Sequence, residues 1–208
     1  NVKAGVDYME FGYKASKELF DVNKFGKWKF CDEESIREIV GDNNSDMKIS
    51  VMADVGRCDY KKDIIDKKDS VIDIVRVATY VHQMPAAIEM IEDAKAKGYE
   101  VTCNIMAISN AKESDIDQAL EMVGQSSADG IYIVDSYGAL YPEQIRAIAD
   151  KYTELGEKSG KYIGMHAHNN QQLAFANTIE ALSHGVSLLD ATMMSMGRGA
   201  GNCAMELL

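Results

Sequence analysis

Apolar and polar residues along this chain follow two periods that take turns. Residues 99–108 are β-rich, and residues 112–123 then carry Ile116, Ala119, Leu120 and Val123 at helical spacing. Residues 130–134 are apolar again. After them Pro142 stands where a helix begins, followed by Ile145, Ile148, Ala149, Tyr152 and Leu155 along one stripe. Residues 162–168 read as the next strand and 173–182 as the next helix, with Gly185 in the place a C-cap glycine prefers. Residues 186–193 make a further strand. The first half keeps the same beat, with strands at 6–12, 47–53 and 71–77 and helices at 33–40 and 84–97, the second closed by Gly98. Between them, 13–30 and 56–70 are polar, charged and aperiodic, and stay open between disordered connections and lids.

Strand, helix, strand at intervals of about thirty residues implies parallel β/α units with right-handed crossovers. Seven strands can be counted. A closed (β/α)8 barrel needs one more, whereas a doubly wound open sheet stops at six or seven. The chain opens in what looks like the tail of a helix and stops as another begins after Asn202. We therefore expect an α/β fold, a (β/α)8 TIM barrel truncated to seven strands, forming a single domain over residues 1–208 that is incomplete at both ends. The missing first strand would lie before Asn1.

Composition narrows the function more than the fold. With 208 residues and 46% apolar content, one sizeable domain can bury a full core. No run of about 18 apolar residues and no charged-then-apolar leader opens a membrane or secretory reading. Cys31, Cys58, Cys103 and Cys203 are far apart and form no C-x-x-C pair, against a zinc knuckle and against a disulfide framework; a reducing cytoplasm is the simplest location. The net charge of −11 repels phosphate backbones and disfavours nucleic acid as a partner.

In parallel β/α folds, functional groups collect at the C-terminal ends of strands. Those ends offer Glu10, Arg76, Asp135 with Ser136, His166 with His168, and Asp190 with Thr192. Side chains at i and i+2 of a strand share a face, so the imidazoles of His166 and His168 emerge together while Ile163, Met165 and Ala167 pack the other way. Two satisfied core or surface histidines would show the same spacing. Two histidines plus oxygen ligands, without thiolates, suit Mn²⁺, Mg²⁺, Co²⁺ or Zn²⁺. Such an ion chelates a 2-oxo acid and stabilises an enolate. The segment Gly197-Arg198-Gly199-Ala200-Gly201-Asn202 follows the last strand, where backbone N–H groups favour anions. Arg198 and Arg76 each suit a substrate carboxylate or a structural acid.

His166-Ala167-His168-Asn169-Asn170, with Ala176-Asn177 and Gly199-Ala200-Gly201-Asn202, resembles the pyruvate-carboxylase/HMG-CoA-lyase-like superfamily of metal-dependent (β/α)8 barrels. Its aldolase branch, that of 4-hydroxy-2-oxovalerate aldolase, is the nearest. Asp135-Ser136-Tyr137-Gly138-Ala139 is similar to its D-S-x-G-A, and residues 196–202 are similar to its M-G-x-G-A-G-N. No cysteine lies in 197–202, where HMG-CoA lyase carries its catalytic one. The resemblance implies that His166 and His168 are metal ligands, with Asn202 at or near the metal, Mn²⁺ being the first candidate. Glu10 matches a glutamate that supports the family's catalytic arginine, and Asp135 is the second candidate catalytic acid. Arg76, Ser136, Arg198 and Gly199 are candidates for binding substrate. The family's first strand carries a further aspartate ligand and that arginine in D-x-T-x-R-D-G, and neither is in this sequence, so these residues alone are expected to be poorly active. Asn169-Asn170 in place of His-Asn, and Arg198 in place of a small residue, point to a different substrate.

The leading expectation is a divalent-metal aldolase that cleaves a 4-hydroxy-2-oxo acid to pyruvate and an aldehyde. The alternatives are Claisen-type acyl transfer from acetyl-CoA to a 2-oxo acid and a non-catalytic barrel module of a longer chain. Expected partners are a small 2-oxo acid, further copies of the chain in a homo-oligomer and, by the resemblance, an aldehyde dehydrogenase.

Overall fold

The computed structural model describes all 208 residues. Seven strands, β1 (Tyr8–Tyr13), β2 (Lys48–Asp54), β3 (Ile74–Thr79), β4 (Glu100–Ile105), β5 (Gly130–Asp135), β6 (Tyr162–Ala167) and β7 (Leu188–Leu189), alternate with helices. The helices are α1 (Glu33–Val40), the single turn α2 (Tyr60–Asp63), α3 (Met84–Ala96), α4 (Glu113–Gln125), α5 (Pro142–Ser159) and α6 (Ala174–Ser183). The strands hydrogen-bond in sequence order from β1 to β7. Every resolved pair among β1/β2, β2/β3, β5/β6 and β6/β7 is parallel. A doubly wound sheet reverses its order at a switch point. No reversal occurs here, so the plan is that of a (β/α) barrel with seven of its eight strands. No helix is long and apolar enough to cross a membrane.

The chain divides into two compact units. The first is Asn1–Ala78 with Ala86–Thr102. Its core is β2 and β3, where Ile49, Val51, Ala53, Val75 and Val77 are buried, covered by Ala87, Met90, Ile91 and Ala94 of α3. The strand expected at 71–77 starts late because its first residues are engaged otherwise. Ser70 Oγ accepts from the Ile72 N–H, and Asp73 Oδ2 accepts from the Ile49 N–H at 2.8 Å. The polar segment 13–30 is ordered by backbone bonds, Ala15 N to Lys29 O and Ser16 N to Arg57 O, and by the Lys29 ammonium lying 4.4 Å from the Phe20 ring and 4.8 Å from that of Tyr13.

The second unit is Thr79–Pro85 with Cys103–Leu208. All of β5 is buried, and α4 and α5 cover the core with the stripes the sequence shows: Ile116, Ala119, Leu120 and Val123, then Ile145, Ala149 and Tyr152. Pro142 opens α5, and the Gln144 side chain accepts from the Tyr141 N–H at 3.0 Å. Two expectations are corrected here. The strand at 186–193 shrinks to Leu188–Leu189 because Thr192 turns to pair with residues 203–204 instead, its N–H bonded to Cys203 O. No helix follows Asn202: Met205 N bonds back to Thr192 O, and the N–H groups of Leu207 and Leu208 both close on Ala204 O.

Candidate metal centre and its cavity

β6 carries the site in the second unit. Ile163, Met165 and Ala167 are buried on one face while His166 and His168 are half-buried on the other, as the period of two requires. The two rings lie 5.1 Å apart between centroids, at 72°. His166 Nδ1 donates to Asp190 Oδ2 at 2.8 Å, which fixes its tautomer and leaves Nε2 as the lone-pair nitrogen. Asp190 sits one residue beyond β7, and its backbone N–H bonds Met165 O. The short strand thereby places an acid behind the histidine.

His168 pairs through its backbone with Asn202 in an isolated antiparallel bridge, reinforced by Asn169 N to Gly201 O at 2.8 Å. The glycine-rich segment is thus tied to the histidine strand. Gly138 approaches from the loop after β5. A Cβ there would lie 2.6 Å from Asn170 N and 2.7 Å from His168 O, and its φ of +56° is left-handed, so both space and conformation demand glycine. A Cβ on Gly197 would collide with the Asn202 side chain.

Two polar atoms of this cluster are buried without a hydrogen-bond partner, His168 Nδ1 and Asn202 Oδ1. The amide nitrogen of Asn202 is engaged by Met196 O at 3.2 Å, so its oxygen is the end left over. Burial, then the neighbouring His166, then the Arg198 charge push His168 down to about 4, which keeps its imidazole neutral. Neutral imidazole is the ligand form. Unpaired acceptors in a buried site are available to a cation or a water. With His166 Nε2 they form an N₂O donor set of borderline softness, which fits a divalent ion. No group of three His, Cys, Asp or Glu side chains holds an ion by itself.

Beside the donors lies a cavity of about 190 Å³ lined by Tyr80, Met106, Ala107, Ser136, Tyr137, Asn170, Arg198 and Gly199. Arg198 reaches over it, one guanidinium nitrogen donating to Ser136 O at 2.6 Å. Ser136 Oγ accepts from the Ala107 N–H at 2.9 Å, holding Ala107 in a left-handed conformation. Asp135, a candidate catalytic acid, is fully buried, and its two carboxylate oxygens accept from the N–H groups of Ala139 and Leu140, each at 3.1 Å. That geometry makes it the holder of the loop 136–140. Asn177 Nδ2 bonds Leu140 O at 2.8 Å from the other side.

The other candidates, Glu10 and Arg76, belong to the first unit and meet each other there. An Arg76 amine donates to Glu10 Oε2 at 3.0 Å, and Arg76 is buried. The open choice for Arg76 between an acid and a substrate includes the acid. Sequence reasoning missed Tyr80, Met106 and Ala107 as cavity walls. They belong to no motif, and their only signal was their place just past the ends of β3 and β4.

Comparison with known proteins gives the family. An oxaloacetate decarboxylase from Mycobacterium tuberculosis is 30% identical over 99% of this chain and 59% of its own length. A 4-hydroxy-2-oxovalerate aldolase from Bacillus thuringiensis is 33% identical over 65% of this chain and 39% of its own. The chain thus spans between two fifths and three fifths of the curated relatives it matches. A hydroxymethylglutaryl-CoA lyase structure from Pseudomonas aeruginosa superposes with a TM-score of 0.74 at 14% identity, covering 98% of this chain and 72% of that one, and supports the barrel fold alone. The HMGL-like family profile matches residues 2–208, a family of lyases and aldolases that depend on divalent metal. The chain belongs to the HMGL-like family.

Proposed function

We propose that this chain is the metal-binding part of a carbon–carbon lyase that cleaves a 4-hydroxy-2-oxo acid to pyruvate and an aldehyde in a reducing cytoplasm. The observation that carries the reading is the pair of buried, unpartnered acceptors, His168 Nδ1 and Asn202 Oδ1, beside His166. Leaving such atoms unpaired costs about 1–3 kcal/mol each unless something binds them. His166, His168 and Asn202 would hold the ion, with Mn²⁺ as our first assignment. When bound, the ion supplies Lewis acidity to the carbonyl of a 2-oxo acid.

The protein's own contribution is placement. Asp190 aims His166, the bridge to Asn202 sets the third donor, and Asp135 and Asn177 hold the loop whose Ser136 fixes the floor of the cavity. Arg198 faces the bound acid with positive charge. Glu10 and Arg76 form a second charged pair for which the resemblance implies a supporting role.

Decarboxylation of a 2-oxo acid is the second reading, favoured by the relative that matches 99% of the chain. It also passes through a pyruvate enolate. The deciding assay follows pyruvate release by full-length protein, stripped with EDTA and reloaded with Mn²⁺, from 4-hydroxy-2-oxovalerate and from oxaloacetate. We expect metal-dependent pyruvate with aldehyde from the first. Pyruvate with CO₂ from oxaloacetate alone selects the second reading, and tight Mn²⁺ binding with no pyruvate from either acid ends both.

A further inference from the structure

We propose that the cavity walled by Tyr137, Asn170, Arg198 and Gly199 is a phosphoryl site, which takes the phosphate of a small phosphate monoester with Arg198 as its anchor. The cavity takes this ligand whichever reaction the histidine strand supports.

Arg198 is the one charged residue among the cavity walls, and no carboxylate pairs with it. Every other arginine has an acid: Arg37, Arg57, Arg76 and Arg146 each lie between 2.8 and 3.7 Å from a carboxylate oxygen. In a chain of net charge −11, a guanidinium without an acid is the exception, and it is the local cation that an incoming anion requires. Its bond to Ser136 O holds it over the cavity and uses one of its five N–H groups, so the rest are open to a ligand. Further donors come from the backbone and from a second loop. Gly201 N closes a turn on Arg198 O at 3.1 Å, and the two N–H groups inside that turn, those of Gly199 and Ala200, meet no acceptor in the protein. Gly199 takes a φ of +65°, and a Cβ there would lie 3.4 Å from Asn170 Nδ2, so the Asn170 amide reaches the same wall from the loop after β6. A guanidinium fork by itself satisfies the two coplanar oxygens of a carboxylate. Donors arriving from separate loops suit three oxygens that do not share a plane, as on a phosphoryl group of about −1.5 to −2 charge. Tyr80 and Tyr137 supply aromatic surface for a short carbon stem. The cavity volume of about 190 Å³ equals roughly six waters at ~30 Å³ each, room for a phosphoryl group with a stem of a few atoms and not for a nucleotide.

The test titrates glycerol 3-phosphate, inorganic phosphate and acetate calorimetrically into full-length protein, once after EDTA treatment and once loaded with Mn²⁺. We expect the ester to bind at least about 10-fold tighter than acetate and about threefold tighter than inorganic phosphate, with or without the ion. Arg198→Gln should weaken the ester by about 10-fold or more, and Arg198→Lys, which keeps charge but loses the fork, should fall between. Asn170→Ala, with the guanidinium intact, should cost about threefold and carries the same reading if Arg198→Gln does not fold. Acetate bound as tightly as the ester overturns the phosphoryl assignment. Inorganic phosphate bound as tightly as the ester gives the site to the free ion and overturns the ester. An affinity unchanged in folded Arg198→Gln, or one that appears only with Mn²⁺, removes the anion from this cavity and ends the proposal.

Discussion

Each unit of this protein holds a carboxylate bonded to a basic side chain, and the two pairs are close to identical in length. In the first, Glu10 accepts from Arg76 at 3.0 Å; in the second, Asp190 accepts from His166 at 2.8 Å. The difference lies in what each base has left afterwards. A guanidinium is a donor only, so the Glu10 contact offsets a buried charge and leaves Arg76 with N–H groups and no lone pair to offer an ion. An imidazole fixed through Nδ1 presents a lone pair at Nε2, so the Asp190 contact leaves an acceptor on the far side of the ring. The neighbours repeat the contrast, since His168 and Asn202 also end in unpaired acceptors. Distance alone does not distinguish the two pairs; the chemistry remaining on the far side does.

Breaking the second pair should give the largest effect. Asp190→Asn keeps the shape and removes the carboxylate that holds the His166 tautomer, and we expect Mn²⁺ affinity to fall about 10- to 100-fold. Calorimetric titration of the folded variant checks this. An unchanged Mn²⁺ affinity would mean that Asp190 packs the strand end and does nothing for a ligand.

The first pair should respond in stability. Arg76 is buried while the Glu10 side chain is about one third exposed, so Glu10→Gln removes a carboxylate from a charge that water only partly reaches. We expect a loss of about 2 kcal/mol in urea unfolding, below the 3–5 kcal/mol of a fully buried pair. A loss under about 0.5 kcal/mol would show that other partners carry Arg76.

The same contrast explains what the sequence displays and what it hides. Period-two patterning put His166 and His168 on one face and Ile163, Met165 and Ala167 on the other, because local backbone geometry dictates it. Helical stripes placed α4 and α5 for the same reason. Failures came where distant segments decide. Residues 190–193 have strand-like composition, yet Thr192 bonds Cys203 O instead of extending β7. The turn at Met194 and Ser195 takes positive φ at two residues without glycine, sustained by Glu206 Oε1 accepting from the Met194 N–H and by Ser195 Oγ bonded to Asn202 O. Asp135 is a different case: two N–H groups four and five residues on bond its oxygens, a local contact that strand-end position does not display. Strand-end position narrowed the list of polar residues; only the structure shows the partners of each one.

Cysteine accessibility gives the finest comparison of the two units. All four thiols are free and buried. Burial pushes Cys31, Cys58 and Cys103 up to about 12 and raises Cys203 as well. A thiol whose folded pKa is raised contributes stability below its unfolded value, near 9, and loses it as pH climbs toward the folded one. Native protein at pH 8 should therefore react slowly with a thiol reagent, through local opening. Cys203 adjoins Asn202 in the segment that an ion would pin, whereas Cys31 lies in the first unit, under the Lys14 and Trp28 segment. Saturating Mn²⁺ should slow labelling of Cys203 by about three- to tenfold, the protection expected when a ligand binds only the closed form. Peptide mapping of the labelled cysteines reads the rate at each site. A Cys203 rate indifferent to Mn²⁺ would mean that the loop stays closed without the ion, and that Asn202 is set in place by its backbone bridge to His168 alone.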